Sequence, residues 1–216
     1  MQTVVPDRLQ GTDGIRRETK SAKDSECRGS TPLQIFLEKG WITEEFMELY
    51  VYCYVKSQFK KKSASPKKRA IVIGWDPRDP SGNFTKAVVR GVCKAGGEAM
   101  VLGVVPTPLV PLFMLHNRAD GGIMVTASHN PKDQNGIKLF LPFHGMKPLP
   151  SDDIDLTRNL LKQNFDAIKK LPLKGGRTDC QQKALALFQH FSLLPETSWI
   201  DSPDTLKALI LVVDPA

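Results

Sequence analysis

Three short apolar runs separated by helical patterns constrain this 216-residue chain more than any other feature. Ala70-Ile71-Val72-Ile73-Gly74 is a continuous apolar run bounded by charged and turn residues, as a strand buried on both faces requires. Residues 83–94 place Phe84, Ala87, Val88, Gly91 and Val92 on one helical face, and Gly96-Gly97 supplies a stop signal. Residues 98–105 read as the next strand, 108–117 as a short helix with Pro108 in its first turn, and 122–126 as a third strand. Upstream, Thr43 reads as an N-cap for a helix carrying Phe46, Met47, Leu49, Tyr50, Tyr54 and Val55. Downstream, 137–141 reads as a strand and 152–164 as a helix with acidic residues at its start. This alternation predicts an α/β fold: a mainly parallel sheet with helices on both faces. Ligands on such sheets gather at the carboxyl ends of the strands.

At one such end lies Thr126-Ala127-Ser128-His129-Asn130-Pro131, followed by Asn135-Gly136-Ile137-Lys138. A serine hydroxyl is a poor nucleophile until a neighbour takes its proton or stabilises its anion. Here a histidine, an asparagine and a lysine lie close in sequence. A phosphoryl group in transfer spreads charge over three oxygens, so its site needs cations and amide donors more than covalent machinery. Lys138 supplies a cation, Gly136 is expected to turn the backbone back toward the serine, and Pro131 fixes one dihedral past the turn. Two other readings compete: an ordinary polar turn, and a Ser-His-Asp hydrolase drawing on Asp133. The G-x-S-x-G elbow that a hydrolase would favour is absent from this stretch.

The whole stretch from Gly122 to Lys138 resembles the phosphoserine loop of the α-D-phosphohexomutases, the family of phosphoglucomutase and phosphomannomutase. Gly11-Thr12-Asp13-Gly14-Ile15-Arg16 is similar to that family's N-terminal active-site motif, with Arg16 in the place of its catalytic arginine. A guanidinium suits that place because it stays charged and grips phosphate oxygens in pairs. Gly74-Trp75-Asp76-Pro77-Arg78 resembles the family's Gly-x-Asp-x-Arg turn, where Asp76 and Arg78 are read as structural, and Val105-Pro106-Thr107-Pro108 resembles the stretch before the next helix. The chain departs from the pattern at Gln10, where an aromatic residue is usual, at Arg17, where glycine is usual, and over residues 20–41, which match nothing in it.

The resemblance implies an intramolecular phosphotransferase. Ser128 carries a phosphate, donates it to a hexose 1- or 6-phosphate, and recovers the other phosphate from the resulting bisphosphate. Ser128, Lys138, Arg16 and His129 would be the catalytic residues, with Asn130, Arg16 and Lys138 touching substrate. Mg²⁺ would be the cofactor, bound here only through the phosphate on Ser128, and a hexose 1,6-bisphosphate the activator. Thr126, where serine could stand, leans the reading toward the phosphoglucomutase/phosphomannomutase branch over the phosphoglucosamine mutases. Residues 1–175 are expected to form the N-terminal domain and 176–216 the incomplete start of a second, since residues 206–216 resemble that domain's first strand. The family's D-G-D-x-D metal loop is not found, so the chain reads as an N-terminal fragment whose missing domains could sit on another chain. An inactive fragment or binding module that keeps the fold is the alternative.

Composition narrows the remaining classes. Cys27, Cys53, Cys93 and Cys180 are scattered without a C-x-x-C pair, which argues against zinc or a disulfide framework and fits a reducing cytoplasm. The first seven residues lack the pattern of a signal peptide, and the longest apolar tract, 100–115, is interrupted by three prolines and too short for a bilayer. The net charge of +7 comes largely from Lys60, Lys61, Lys62, Lys67, Lys68 and Arg69. No aromatic residue interleaves with them, so this run reads as a solvated connection, and no nucleic-acid partner is expected.

Overall fold

The computed structural model describes residues 6–11, 13–61 and 69–193. Six strands, β1 (Ile15–Glu18), β2 (Ala70–Trp75), β3 (Glu98–Val104), β4 (Gly121–Val125), β5 (Gln134–Phe140) and β6 (Arg177–Asp179), form one sheet in the order β1-β5-β4-β2-β3-β6. The central pairings β2–β3 and β2–β4, and the edge pairing β3–β6, are parallel, whereas β4–β5 and β1–β5 are antiparallel. The sheet is thus mainly parallel, as the spacing predicted, with an antiparallel side formed by β4, β5 and β1. The reason is local: β4 and β5 are joined by residues 126–133 alone, with no helix to carry the chain back, and such a connection allows only antiparallel pairing.

Alternation along the strands divides the core. Ile71, Ile73, Ile123, Val125, Ile137 and Leu139 pack on one side against α2 (Glu44–Lys61), α3 (Asn83–Ala95), α5 (Pro150–Leu161) and α6 (Phe165–Lys169). Val72, Leu102, Met124 and Phe140 face the other way, against α4 (Leu109–His116) and α7 (Gln181–Leu193). Helices thus cover both faces, as the patterning indicated.

The local signals act as chemistry dictates. Thr43, fully buried, accepts a hydrogen bond from the Phe46 N–H at 3.1 Å and opens α2. Gly96 closes α3 in the left-handed conformation at φ 93°. Gly91 lets α2 and α3 touch, since a Cβ there would lie 2.6 Å from the Glu48 carbonyl oxygen. Residues 20–41 form a 3₁₀ turn (Ser25–Cys27), the short α1 (Pro32–Gln34) capped reciprocally by Thr31 and Gln34, and a π-helical turn (Ile35–Lys39). Arg17 lies 5.8 Å from the centroid of the Phe36 ring in that segment.

One expectation changes. Arg69 does not belong to a solvated run: it is buried and pairs with Asp120 at 3.1 Å at the start of β2. Lys62, Lys67 and Lys68 lie outside the described residues, and so do Thr12 and the expected strand at 206–216. β6 pairs with β3 through Ala99, Met100 and Val101, and Ala184 and Leu187 of α7 join the core.

Candidate active site

The loop at residues 126–133 leaves the carboxyl end of β4 beside the carboxyl end of β2, where Trp75 registers with Val125. Thr126 and Ala127 are buried, while Ser128 and His129 are exposed. Ser128 adopts a left-handed backbone at φ 59°, rare for a residue with a side chain. Its N–H donates to the Thr126 hydroxyl at 2.8 Å, and that hydroxyl donates to Asp76 Oδ2. The Asn130 N–H donates to the Ala127 carbonyl at 3.1 Å, which closes the turn.

Arg78 secures the loop from beneath. Its Nε donates to Asp76 Oδ2 at 2.8 Å, and its Nη1 reaches the carbonyl oxygens of Asn130, Pro131 and Gln134 at 3.2, 3.2 and 3.0 Å. Its Nη2 donates to the Ser128 carbonyl. The structural role read for Asp76 and Arg78 is thus visible, and it is exercised on the reactive loop itself. The contacts are to backbone oxygens far away in sequence, which leave no signature in residue types.

Arg16 comes from β1 on the other side of the loop. Its Nη1 donates to Asn130 Oδ1 at 3.4 Å and its Nη2 pairs with Asp13 at 3.3 Å; its Nε is buried and has no hydrogen-bond partner among the described residues. Asn130 in turn donates to Gln134 Oε1 at 2.7 Å. Arg16 and Asn130 line an open cleft of about 560 Å³ together with Arg8, Asp13 and Arg17. Lys138 lines an adjoining narrower cleft with Asp13, Gly14 and Lys147. Ser128 lies outside the lining of both. Lys138 is 8% exposed, and burial pulls its pKa below the usual lysine range, with the Arg16 charge adding to the effect and Asp76 opposing it.

Two glycines have a use other than the expected turn. Gly136 lies within β5, in register with Arg16, and a Cβ there would meet the Ile15 carbonyl oxygen at 1.9 Å and the Thr126 carbonyl oxygen at 3.0 Å. Gly14, at φ 94°, has the Ile137 carbonyl oxygen 2.2 Å from where its Cβ would be. Both let the arginine strand close against the serine loop.

The sequence of residues 33–166 matches the family of phosphoglucomutase/phosphomannomutase, alpha/beta/alpha domain I. The chain belongs to that family. Among curated proteins it is similar to the phosphoglucosamine mutase of Clostridium tetani, 34% identical over 161 residues that make up 74% of this chain and 30% of that protein. It is also similar to that of Gloeothece citriformis, 41% identical over 106 residues, 48% of this chain and 22% of that protein. The chain thus spans less than a third of the length of these relatives. Among solved structures, one from Thermus thermophilus assigned to the phosphomannomutases superposes with a TM-score of 0.60 at 20% identity, covering 88% of this chain and 36% of that one. A phosphoglucomutase/phosphomannomutase family protein from Burkholderia thailandensis does so at 0.52 and 18%, covering 82% and 33%. At these identities the structures speak for the fold.

The contacts link the serine loop, which carries Ser128 and Asn130, to Arg16 through Asn130 and set Lys138 within the field of Arg16. His129 sits beside Ser128, but its side chain makes no hydrogen bond among the described residues. Nor is there a Ser128–His129–Asp133 hydrogen-bond relay among them, so the geometry gives the hydrolase reading no support. No group of three or more His, Cys, Asp or Glu side chains among the described residues could hold a metal ion. Mg²⁺ demands near-octahedral oxygen coordination, and this donor set does not fit it. No helix among the described residues is long and apolar enough to cross a membrane.

Proposed function

We propose that this chain is the nucleophile-bearing lobe of a phosphohexomutase. Ser128 takes a phosphoryl group from a hexose 1,6-bisphosphate and returns one to a hexose monophosphate, moving phosphate between C1 and C6. The observation that carries the reading is an exposed serine held in a left-handed turn, in a loop whose Asn130 accepts a hydrogen bond from the Arg16 guanidinium, with a buried lysine of depressed pKa that senses the charge of that guanidinium. A lysine that gives up its proton more readily can take one from the serine hydroxyl as the bond to phosphorus forms. Arg16, whose buried Nε has no partner among the described residues, offers fixed positive charge to phosphoryl oxygens, and Asn130 holds that guanidinium in place. His129 is the exposed neighbour that would meet substrate at the loop tip.

Mg²⁺ and its ligands, and the residues that grip the sugar, belong in this proposal to the part of the relatives' length that these 216 residues do not span. Nucleic acid has no part in it. The curated relatives are named phosphoglucosamine mutases, so the lean given by Thr126 is not adopted, and the hexose is left at the level of the family. The test is a chase. The chain is loaded from ³²P-labelled glucose 1,6-bisphosphate with Mg²⁺, freed of donor, and mixed with glucose 1-phosphate or glucosamine 1-phosphate. Label returning as a hexose bisphosphate supports a mutase half-reaction. Label that stays on protein supports the alternative of an inert lobe, and label released only as inorganic phosphate supports a phosphatase.

A further inference from the structure

We infer that Arg78 is a positioning residue for phosphoryl transfer at Ser128, acting through the loop backbone; the inference rests on the functional reading above. A guanidinium is a planar fork of donors at fixed angles, and Arg78 uses all three of its nitrogens. It gathers the carbonyl oxygens of Ser128, Asn130, Pro131 and Gln134, while its Nε is held by Asp76. The same carboxylate holds the Thr126 hydroxyl, which accepts the Ser128 N–H. One largely buried cation and one carboxylate thus fix both sides of the left-handed residue that carries the hydroxyl.

The peptide plane gives this clamp a chemical consequence. In a trans peptide the carbonyl and the following N–H point in opposite directions. With the Ser128 carbonyl turned onto Arg78, the His129 N–H is turned away from it, and it donates no hydrogen bond among the described residues. It is a donor adjacent to the hydroxyl, available to an oxygen of the phosphoryl group. Without Arg78, four carbonyls lose a guanidinium donor, with Pro131 keeping the Gln134 N–H, the strained φ at Ser128 loses its support, and the hydroxyl and this N–H cease to be held together. A serine displaced by about 1 Å reacts on the order of a hundredfold more slowly.

The experiment compares the chain with Arg78→Ala, Arg78→Lys and Thr126→Val. Phosphoryl uptake at Ser128 from glucose 1,6-bisphosphate with Mg²⁺ is followed by intact mass, and amide exchange over residues 126–136 by peptide mass spectrometry. Arg78→Ala is expected to lower the uptake rate at saturating donor about a hundredfold with the half-saturating donor concentration within about twofold. Exchange at Ser128 and Asn130 should rise about tenfold or more while β2 and β3 keep their protection. Arg78→Lys should recover only part of the rate, and added guanidinium ion should restore uptake in Arg78→Ala. Thr126→Val, which spares Arg78, should speed exchange at Ser128 alone. Wild-type uptake and exchange in Arg78→Ala overturn the inference, as does a loss confined to the half-saturating concentration. If Arg78→Ala does not fold, wild-type uptake in Arg78→Lys overturns it. If the wild-type chain takes no phosphate the functional reading fails, and unchanged exchange in the variants then defeats the clamp separately.

Discussion

Replacing Gly136 by alanine tests how tightly the arginine strand is held to the serine loop. The added Cβ would lie 1.9 Å from the Ile15 carbonyl oxygen. Carbon and oxygen rest no closer than about 3.3 Å, so the strands must part by roughly 1.4 Å. β5 is fixed by β4 on its far side, whereas β1 is an edge strand, so β1 moves. Parting strains about two ladder hydrogen bonds at roughly 1 kcal/mol each. It also exposes part of Ile15, now 2% exposed, for about 1 kcal/mol more. The sum is about 3 kcal/mol, which lowers the melting temperature by roughly 6–12 °C for a chain of this size. Arg16, in register with Gly136, moves with β1 and should slow phosphoryl uptake at Ser128. Thermal unfolding followed by circular dichroism, with uptake measured well below the transition, reads both effects. A melting temperature within about 1 °C of wild type would refute the close approach and the reasoning built on it.

Three further outcomes follow from particular groups. Because the folded pKa of Lys138 lies below its unfolded value, the unfolded chain binds more protons between the two. Stability from this group therefore rises as pH climbs from the folded pKa toward 10.5, and Lys138→Met should flatten that rise in pH-dependent denaturant titrations. Cys53 is 3% exposed, with burial pushing its thiol up to about 12, so it should resist a thiol reagent in the native chain and react once urea unfolds it. Thr43→Ala removes the buried cap of α2 and should cost about 1–2 kcal/mol in the same denaturant titrations, with the slope unchanged.

How much of this was legible in the chain depends on the range of the forces involved. β2, α3, β3, α4 and β4 announce themselves through local periodicity, and Thr43 and Gly96 through the backbone needs of helix ends. Residues 137–141 also read as a strand, but the pairing of β5 with β1 does not show, because it rests on glycines whose value lies in what is absent at Gly14 and Gly136. β6, with the sequence Arg177-Thr178-Asp179, has no apolar residue to mark it and is a strand only because β3 offers an edge. At the site, residue types pointed to Ser128, His129, Asn130 and Lys138, and the family resemblance to Arg16. They could not show that Arg78 reaches four backbone carbonyls, nor that Arg69 leaves a basic run to pair with Asp120.

The central claim is that Ser128 is a phosphoryl acceptor. The most direct measurement is peptide mass spectrometry of the chain before and after incubation with glucose 1,6-bisphosphate and Mg²⁺, alongside Ser128→Ala. The account predicts phosphate on Ser128 in the wild-type chain and none at that position in the variant. A bare Ser128 in both samples, or phosphate that appears equally on other residues of the variant, would contradict it.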